Sequence, residues 1–106
     1  MKVLVIGSGG REHTMAWKLR SSPKVTEVIC APGNGGMAGI ARCVAVNPED
    51  FDAVEELARR EGADYVIVGP EAPLAAGIVD HLKAAGIKTL GPTRAAAMLE
   101  SSKVFR

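Results

Sequence analysis

The chain has 106 residues, 47% of them hydrophobic, 24% charged and 4% aromatic, with a formal net charge of +1. That is the size of one globular domain with a single core built from Val, Ile, Leu and Ala, and it is small for an enzyme that must hold two substrates. The near-neutral balance gives no electrostatic case for nucleic acid or an anionic membrane as partner, and no apolar run approaches the roughly 18 residues of a spanning helix.

Taken in order, the residues alternate between strand and helix signals. Lys2 to Ile6 is a short apolar strand that runs into Gly7-Ser8-Gly9-Gly10-Arg11-Glu12-His13. A helix follows over Arg11 to Arg20, with Met15, Ala16 and Leu19 on one face and Ser21-Ser22-Pro23 as its stop. The first strand leaves no room for a signal or transit peptide, so the cytoplasm is the expected compartment. Val25 to Ala31 reads as a second strand, closed by Pro32-Gly33-Asn34-Gly35-Gly36. Residues Met37 to Arg42 are ambiguous, with a helical turn as one reading, and Cys43 to Val46 is a short third strand. Asn47-Pro48-Glu49-Asp50 reads as a helix start, with Asn47 as cap, proline at the first helical position and early carboxylates. Phe51, Val54, Leu57 and Ala58 then recur at helical spacing until Gly62.

Tyr65 to Val68 is an uninterrupted apolar strand, as in a parallel sheet covered on both faces. Gly69-Pro70-Glu71-Ala72-Pro73 leads to a helix over Leu74 to Ala85, with Ile78, Val79 and Leu82 inward and Gly86 as its stop. Ile87 to Leu90 is a fifth strand, and Gly91-Pro92-Thr93 opens a helix through Leu99. Five strands joined by helical crossovers predict an α/β fold: an open, five-stranded, doubly wound parallel sheet of Rossmann-like type, with helices on both faces. Ser101-Ser102 resembles a further cap, and Lys103-Val104-Phe105-Arg106 begins an amphipathic run of one turn. Such a run is too short to be stable alone, so residues 1–100 read as one domain and 101–106 as the start of a passage into another.

The side chains that most often carry chemistry are sparse. Cys30 and Cys43 stand in apolar surroundings without a second pair, which favours buried free thiols over a disulfide or a metal site. His81, among Asp80, Lys83 and other polar positions, reads as a surface residue. His13 follows the glycine loop, where a helix N-terminus disfavours imidazolium and no neighbour in sequence makes it a base. The chain shows no Walker-type lysine, no clustered metal-binding carboxylates and no His–carboxylate pair, so no catalytic residue and no metal ligand is assigned.

Ligands of open α/β sheets bind beyond the carboxyl ends of the strands, and four glycine-rich loops gather at that edge. In the first, glycines let backbone N–H groups approach an anion at a helix N-terminus, and Arg11 adds a fork of donors. Gly7 and Gly9 fit the dinucleotide fingerprint, but its third glycine falls on Glu12, where a carboxylate would crowd the helix and repel a pyrophosphate. The acidic residue that should follow about 20 positions later, at the end of the second strand, is also missing. The loop therefore reads as a site for one phosphate, with Ser8, Gly9, Gly10 and Arg11 as donors. Asn34, beside Gly33, offers both donor and acceptor groups to sugar hydroxyls, against the plainer reading of a turn residue. Glu71, after Gly69 and Pro70, is either a carboxylate for a hydroxyl or amine, or a helix N-terminal charge.

These same stretches carry a resemblance. Gly7-Ser8-Gly9-Gly10-Arg11-Glu12-His13, Ala31-Pro32-Gly33-Asn34 and Gly69-Pro70-Glu71-Ala72-Pro73-Leu74 are similar to the N-terminal domain of the phosphoribosylamine–glycine ligase family, also called glycinamide ribonucleotide synthetase. Gly91-Pro92-Thr93, Leu99-Glu100 and Ser102-Lys103 resemble that family's passage into its ATP-grasp domain. The departures are Thr14, where alanine is usual, and Ser101, at a variable position. The resemblance implies a pre-ATP-grasp domain of purine biosynthesis. In the implied reaction ATP phosphorylates the carboxylate of glycine, the amine of 5-phosphoribosylamine attacks the acyl phosphate, and ADP, phosphate and glycinamide ribonucleotide leave.

It further implies that this domain holds phosphoribosylamine through Ser8, Gly9, Gly10, Arg11, Gly33, Asn34, Gly69, Pro70 and Glu71. ATP and Mg²⁺ or Mn²⁺ would belong to the ATP-grasp and C-terminal domains of the full-length enzyme, so these residues alone would bind neither and catalyse nothing. Three other readings remain: a related ligase domain acting on a carboxylate intermediate, a non-enzymatic nucleotide- or phosphate-binding module, and a truncated NAD-dependent oxidoreductase. Glu12 and the missing acid speak against the last.

Overall fold

A computed structural model describes residues 1–69 and 74–91. The expected helix from Thr93, the tail 101–106 and the segment 70–73 lie outside the described residues. Among the described residues five parallel strands make one sheet: β1 (Lys2–Gly7), β2 (Glu27–Pro32), β3 (Arg42–Cys43), β4 (Tyr65–Val68) and β5 (Thr89–Leu90). Their spatial order is β3-β2-β1-β4-β5. The chain winds outward from β1 in one direction and then, after β3, returns to β1's other side, so the carboxyl ends of β1 and β4 flank the switch point.

Among the described residues three helices cover the sheet: α1 (Gly10–Arg20), α2 (Phe51–Glu61) and α3 (Ala75–Ala84). Val3 and Val5 point to the face where Met15, Ala16 and Leu19 of α1 pack, with Val28, Cys30 and Ile67 beside them. Leu4 and Ile6 point to the other, where Val54, Leu57 and Ala58 of α2 meet Ile78 and Leu82 of α3. Successive strand residues therefore enter two separate cores, which is why β1 and β4 read as continuous apolar runs rather than alternating ones. Each fully buried aliphatic side chain contributes on the order of 1.5–3 kcal/mol against exposure. Among the described residues no helix is long and apolar enough to cross a membrane.

The structure corrects several expected boundaries. Strand β2 begins at Glu27 rather than Val25, because Val25 and Thr26 close a turn with Ser22 and Met1. At the far edge β3 is only Arg42–Cys43, not Cys43 to Val46, and Val44 adds a last backbone bond to Cys30. Strand β5 is Thr89–Leu90 rather than Ile87 to Leu90, since the Ile87 N–H bonds back to Leu82 at the helix end. The cap of α2 is Asp50, whose Oδ1 accepts from the Ala53 N–H at 3.1 Å. Asn47 instead folds its own turn, accepting from Glu49 N through Oδ1 at 3.0 Å. Asn47 and Asp50 are both good caps, and the choice falls to the one three residues before a free N–H. The ambiguous stretch after the second loop contains a 3-10 turn at Met37–Gly39.

Candidate functional site

The loops after β1 and β2 meet at the carboxyl edge, together with Gly69 just past the end of β4. The Gly33 N–H donates to the Gly7 carbonyl at 3.2 Å, and the Gly69 N–H to that of Ile6 at 2.9 Å. Helix α1 starts at Gly10 behind Gly9, whose extended backbone supplies no side-chain cap. The first intrahelical bond there is from His13 N–H to the Gly9 carbonyl, 3.1 Å. No side chain caps this helix start, so the backbone of Gly10 and Arg11 stands at the positive end of the helix dipole, with Ser8, Gly10 and Arg11 exposed to solvent. A helix N-terminus of that kind suits an anion.

Asn34 joins the first loop to the second. Its Nδ2 donates to the Ser8 carbonyl at 2.5 Å and its Oδ1 accepts from Met37 N at 2.9 Å. One amide hydrogen is left for a ligand. Gly33 has φ +71°, and a Cβ there would fall 2.5 Å from Cys43 Sγ, so the close approach of the second loop to β3 requires glycine. His13, isolated in sequence, comes against this loop, with its Cε1 3.1 Å from where a Cβ on Gly36 would sit. Gly69 is buried at the end of β4, while Pro70 and Glu71 lie outside the described residues.

Glu12 departs furthest from expectation. Its side chain neither disrupts the packing of α1 nor faces solvent; it is wholly buried at the switch point. A Cβ on Gly7 would lie 2.4 Å from its Oε1, and one on Gly69 2.1 Å from its Cγ. The crowding expected of a carboxylate at this position is relieved because the two facing residues have no side chain. The sequence signal was present as glycines at the ends of two strands that turn out to be neighbours.

A second grouping corrects the reading of His81 as a surface residue and the expected absence of any His–carboxylate pair. His81, half-buried on α3, has Nε2 2.9 Å from Glu55 Oε1 and 3.6 Å from Asp52 Oδ1. The Arg59 guanidinium, and after it His81, hold the Glu55 carboxyl below its ordinary range. Because the pair joins two helices 26 residues apart, no local pattern announces it.

The Phosphoribosylglycinamide synthetase, N domain family matches residues 1–100. The chain belongs to that family. Its relatives include the phosphoribosylamine–glycine ligases of Ralstonia nicotianae, 59% identical over 105 residues, and Agrobacterium fabrum, 54% identical over 105 residues. That of Nostoc sp. is 50% identical over 107 residues. Each match covers 99% of this chain and 25% of the relative, so the chain spans about a quarter of the length of the ligases it matches. The solved structure of glycinamide-RNase-transformylase T from Mycobacterium tuberculosis aligns over 90% of the chain and 27% of its own, with a TM-score of 0.66. At 21% identity that likeness speaks for the fold alone. In this chain the matched domain is a five-stranded parallel sheet with glycine-rich loops at its carboxyl edge.

Proposed function

We propose that this chain is the substrate-binding N-terminal domain, residues 1–100, of an ATP-dependent ligase that joins glycine to 5-phosphoribosylamine in purine biosynthesis. The observation that carries the reading is the start of α1 between Gly9 and Arg11, which no side chain caps, at the switch point of the sheet in a chain whose sequence matches those ligases over 99% of its length. The 5-phosphate is held by the N–H groups of Ser8, Gly9, Gly10 and Arg11, with the Arg11 guanidinium as a charge-assisted donor. The ribose lies over Gly33, Asn34 and Gly69, where the two glycines permit close approach. Asn34 offers its remaining amide hydrogen, and Pro70 and Glu71 are assigned to the same ligand by the family resemblance alone.

The role of these residues is positioning. Holding the phosphate and ribose fixes the amine where an acyl phosphate can be attacked, converting part of a bimolecular encounter into a preset geometry. Among the described residues the glycine loops offer no set of exposed carboxylates for a nucleotide's Mg²⁺ or Mn²⁺, since Glu12 is enclosed by Gly7 and Gly69. ATP and metal are assigned to the ATP-grasp and C-terminal domains beyond residues 101–106, acting in the cytoplasm, and no step of that chemistry falls to the present residues.

Arg11→Ala in the full-length enzyme tests this directly. Loss of one charge-assisted contact should weaken phosphoribosylamine binding by about 1.5–3 kcal/mol, read as a raised KM. Unchanged KM and kcat would remove Arg11 from the site.

A further inference from the structure

Helices α2 and α3 lie together on the sheet face opposite α1, and their contact carries a set of donors that the ligase reading does not use. We propose that Asp52, Glu55 and His81 form a zinc site that ties α2 to α3. The His81 Nε2 is 2.9 Å from Glu55 Oε1 and 3.6 Å from Asp52 Oδ1, and one ligand atom from each of the three lies within 4.8 Å of the others. Tetrahedral zinc with bonds of about 2.0–2.2 Å sets its ligand atoms roughly 3.3–3.6 Å apart, so small side-chain rotations close the sphere. The fourth position is left to water.

The donor set selects the ion. One imidazole with two carboxylates suits zinc, whereas calcium and magnesium favour oxygen alone. The two carboxylates also balance its charge.

Two of the ligands are already oriented by groups outside the sphere. Asp52 and Glu55 stand three residues apart on α2, the spacing that puts side chains on one face. Arg59 holds the second oxygen of Glu55 at 3.2 Å and donates to the Ala85 carbonyl of α3's end at 2.8 Å, which leaves Glu55 Oε1 directed at His81. The ring of Phe51 packs on the imidazole with centroids 5.6 Å apart, and Phe51 itself sits against Gly77 of α3. Such outer partners keep ligands in the binding rotamer before the ion arrives. Asp52, with a side chain 94% exposed, closes the sphere by a rotamer change that disturbs nothing else.

The test is a calorimetric titration of ZnCl₂ into the full-length protein after chelator treatment, repeated on Asp52→Asn and His81→Gln. One equivalent of zinc should bind to the wild type, and its affinity should fall at least tenfold in each variant. Zinc should also raise the melting temperature of the wild type and do so much less in the variants. In EDTA Asp52→Asn should melt with the wild type, so it decides the matter even if His81→Gln folds poorly. An affinity and a melting shift that Asp52→Asn leaves unaltered, or a wild type that binds no saturable zinc, would overturn the proposal.

Discussion

Replacing Gly69 by alanine in two backgrounds isolates the contact that shapes the candidate site. The three heavy atoms nearest to a Cβ on Gly69 all belong to Glu12, at 2.1, 2.3 and 2.3 Å. These are the middle and end of a buried side chain, so Glu12 has to leave its place or β4 has to move away from α1. Overpacking of that kind costs about 1–3 kcal/mol. Gly69 has no positive φ, so alanine there meets no backbone strain and the whole penalty is steric. In a Glu12→Ala background the obstruction is gone, and Gly69→Ala should become nearly neutral, a coupling of about 1–3 kcal/mol in the double-mutant cycle. Gly7 supplies the control. It meets the same carboxyl but has φ +135°, so Gly7→Ala should keep a cost of about 1–3 kcal/mol from strain even without Glu12. Urea denaturation of the four Gly69 combinations and the Gly7 pair gives the energies, and each kcal/mol also appears as about 4–8 °C in melting temperature. Equal penalties for Gly69→Ala in both backgrounds would refute the account of why the residue at 69 is glycine.

Two further outcomes follow from charge and burial. Arg42 bonds both Glu27 of β2 and Glu61 of α2, and holds each carboxyl below the ordinary value of 4.5. A lowered folded pKa gives stability that is present above the unfolded value and is lost as pH falls through the folded one. Arg42→Met should therefore flatten the loss of stability between about pH 5 and pH 2 in acid titrations followed by circular dichroism, while an unchanged acid limb would dismiss the pairing. Burial, with a smaller push from Cys43, raises the Cys30 thiol to about 12. Iodoacetamide at pH 8 should leave Cys30 unmodified in the folded protein and label it in urea, read by mass spectrometry of the peptides; labelling at equal rates would contradict its place in the core.

What the sequence made legible was local. Tyr65 to Val68, the glycine loops and the stop at Gly62 each declare themselves within a few residues, because apolar runs, left-handed backbone and helix ends depend on near neighbours. The edges were less readable. Strand β3 is two residues long because only Ile29 and Cys30 of β2 are paired with it, a limit set by the sheet rather than by the apolar run Cys43 to Val46. Asn47 and Asp50 offered equivalent capping chemistry, and only the geometry of the turn separates them. The places of Glu12 and His81 are hidden in the sequence for a common reason. The meaning of each lies in a partner brought from another element: Gly69 for the first, Glu55 for the second. A carboxylate in place of a fingerprint glycine is a defect on paper and a fit once the adjacent strand end is known to be glycine.

The assignment of the first loop to a phosphate is tested most directly by amide chemical-shift mapping of the chain titrated with ribose 5-phosphate. The account predicts that the largest saturable shifts fall on Ser8, Gly9, Gly10 and Arg11, with smaller ones at Gly33, Asn34 and Gly69. It also predicts that ribose without the phosphate leaves the first four unmoved. Saturable shifts confined to another edge of the sheet, with those four amides unchanged, would contradict it.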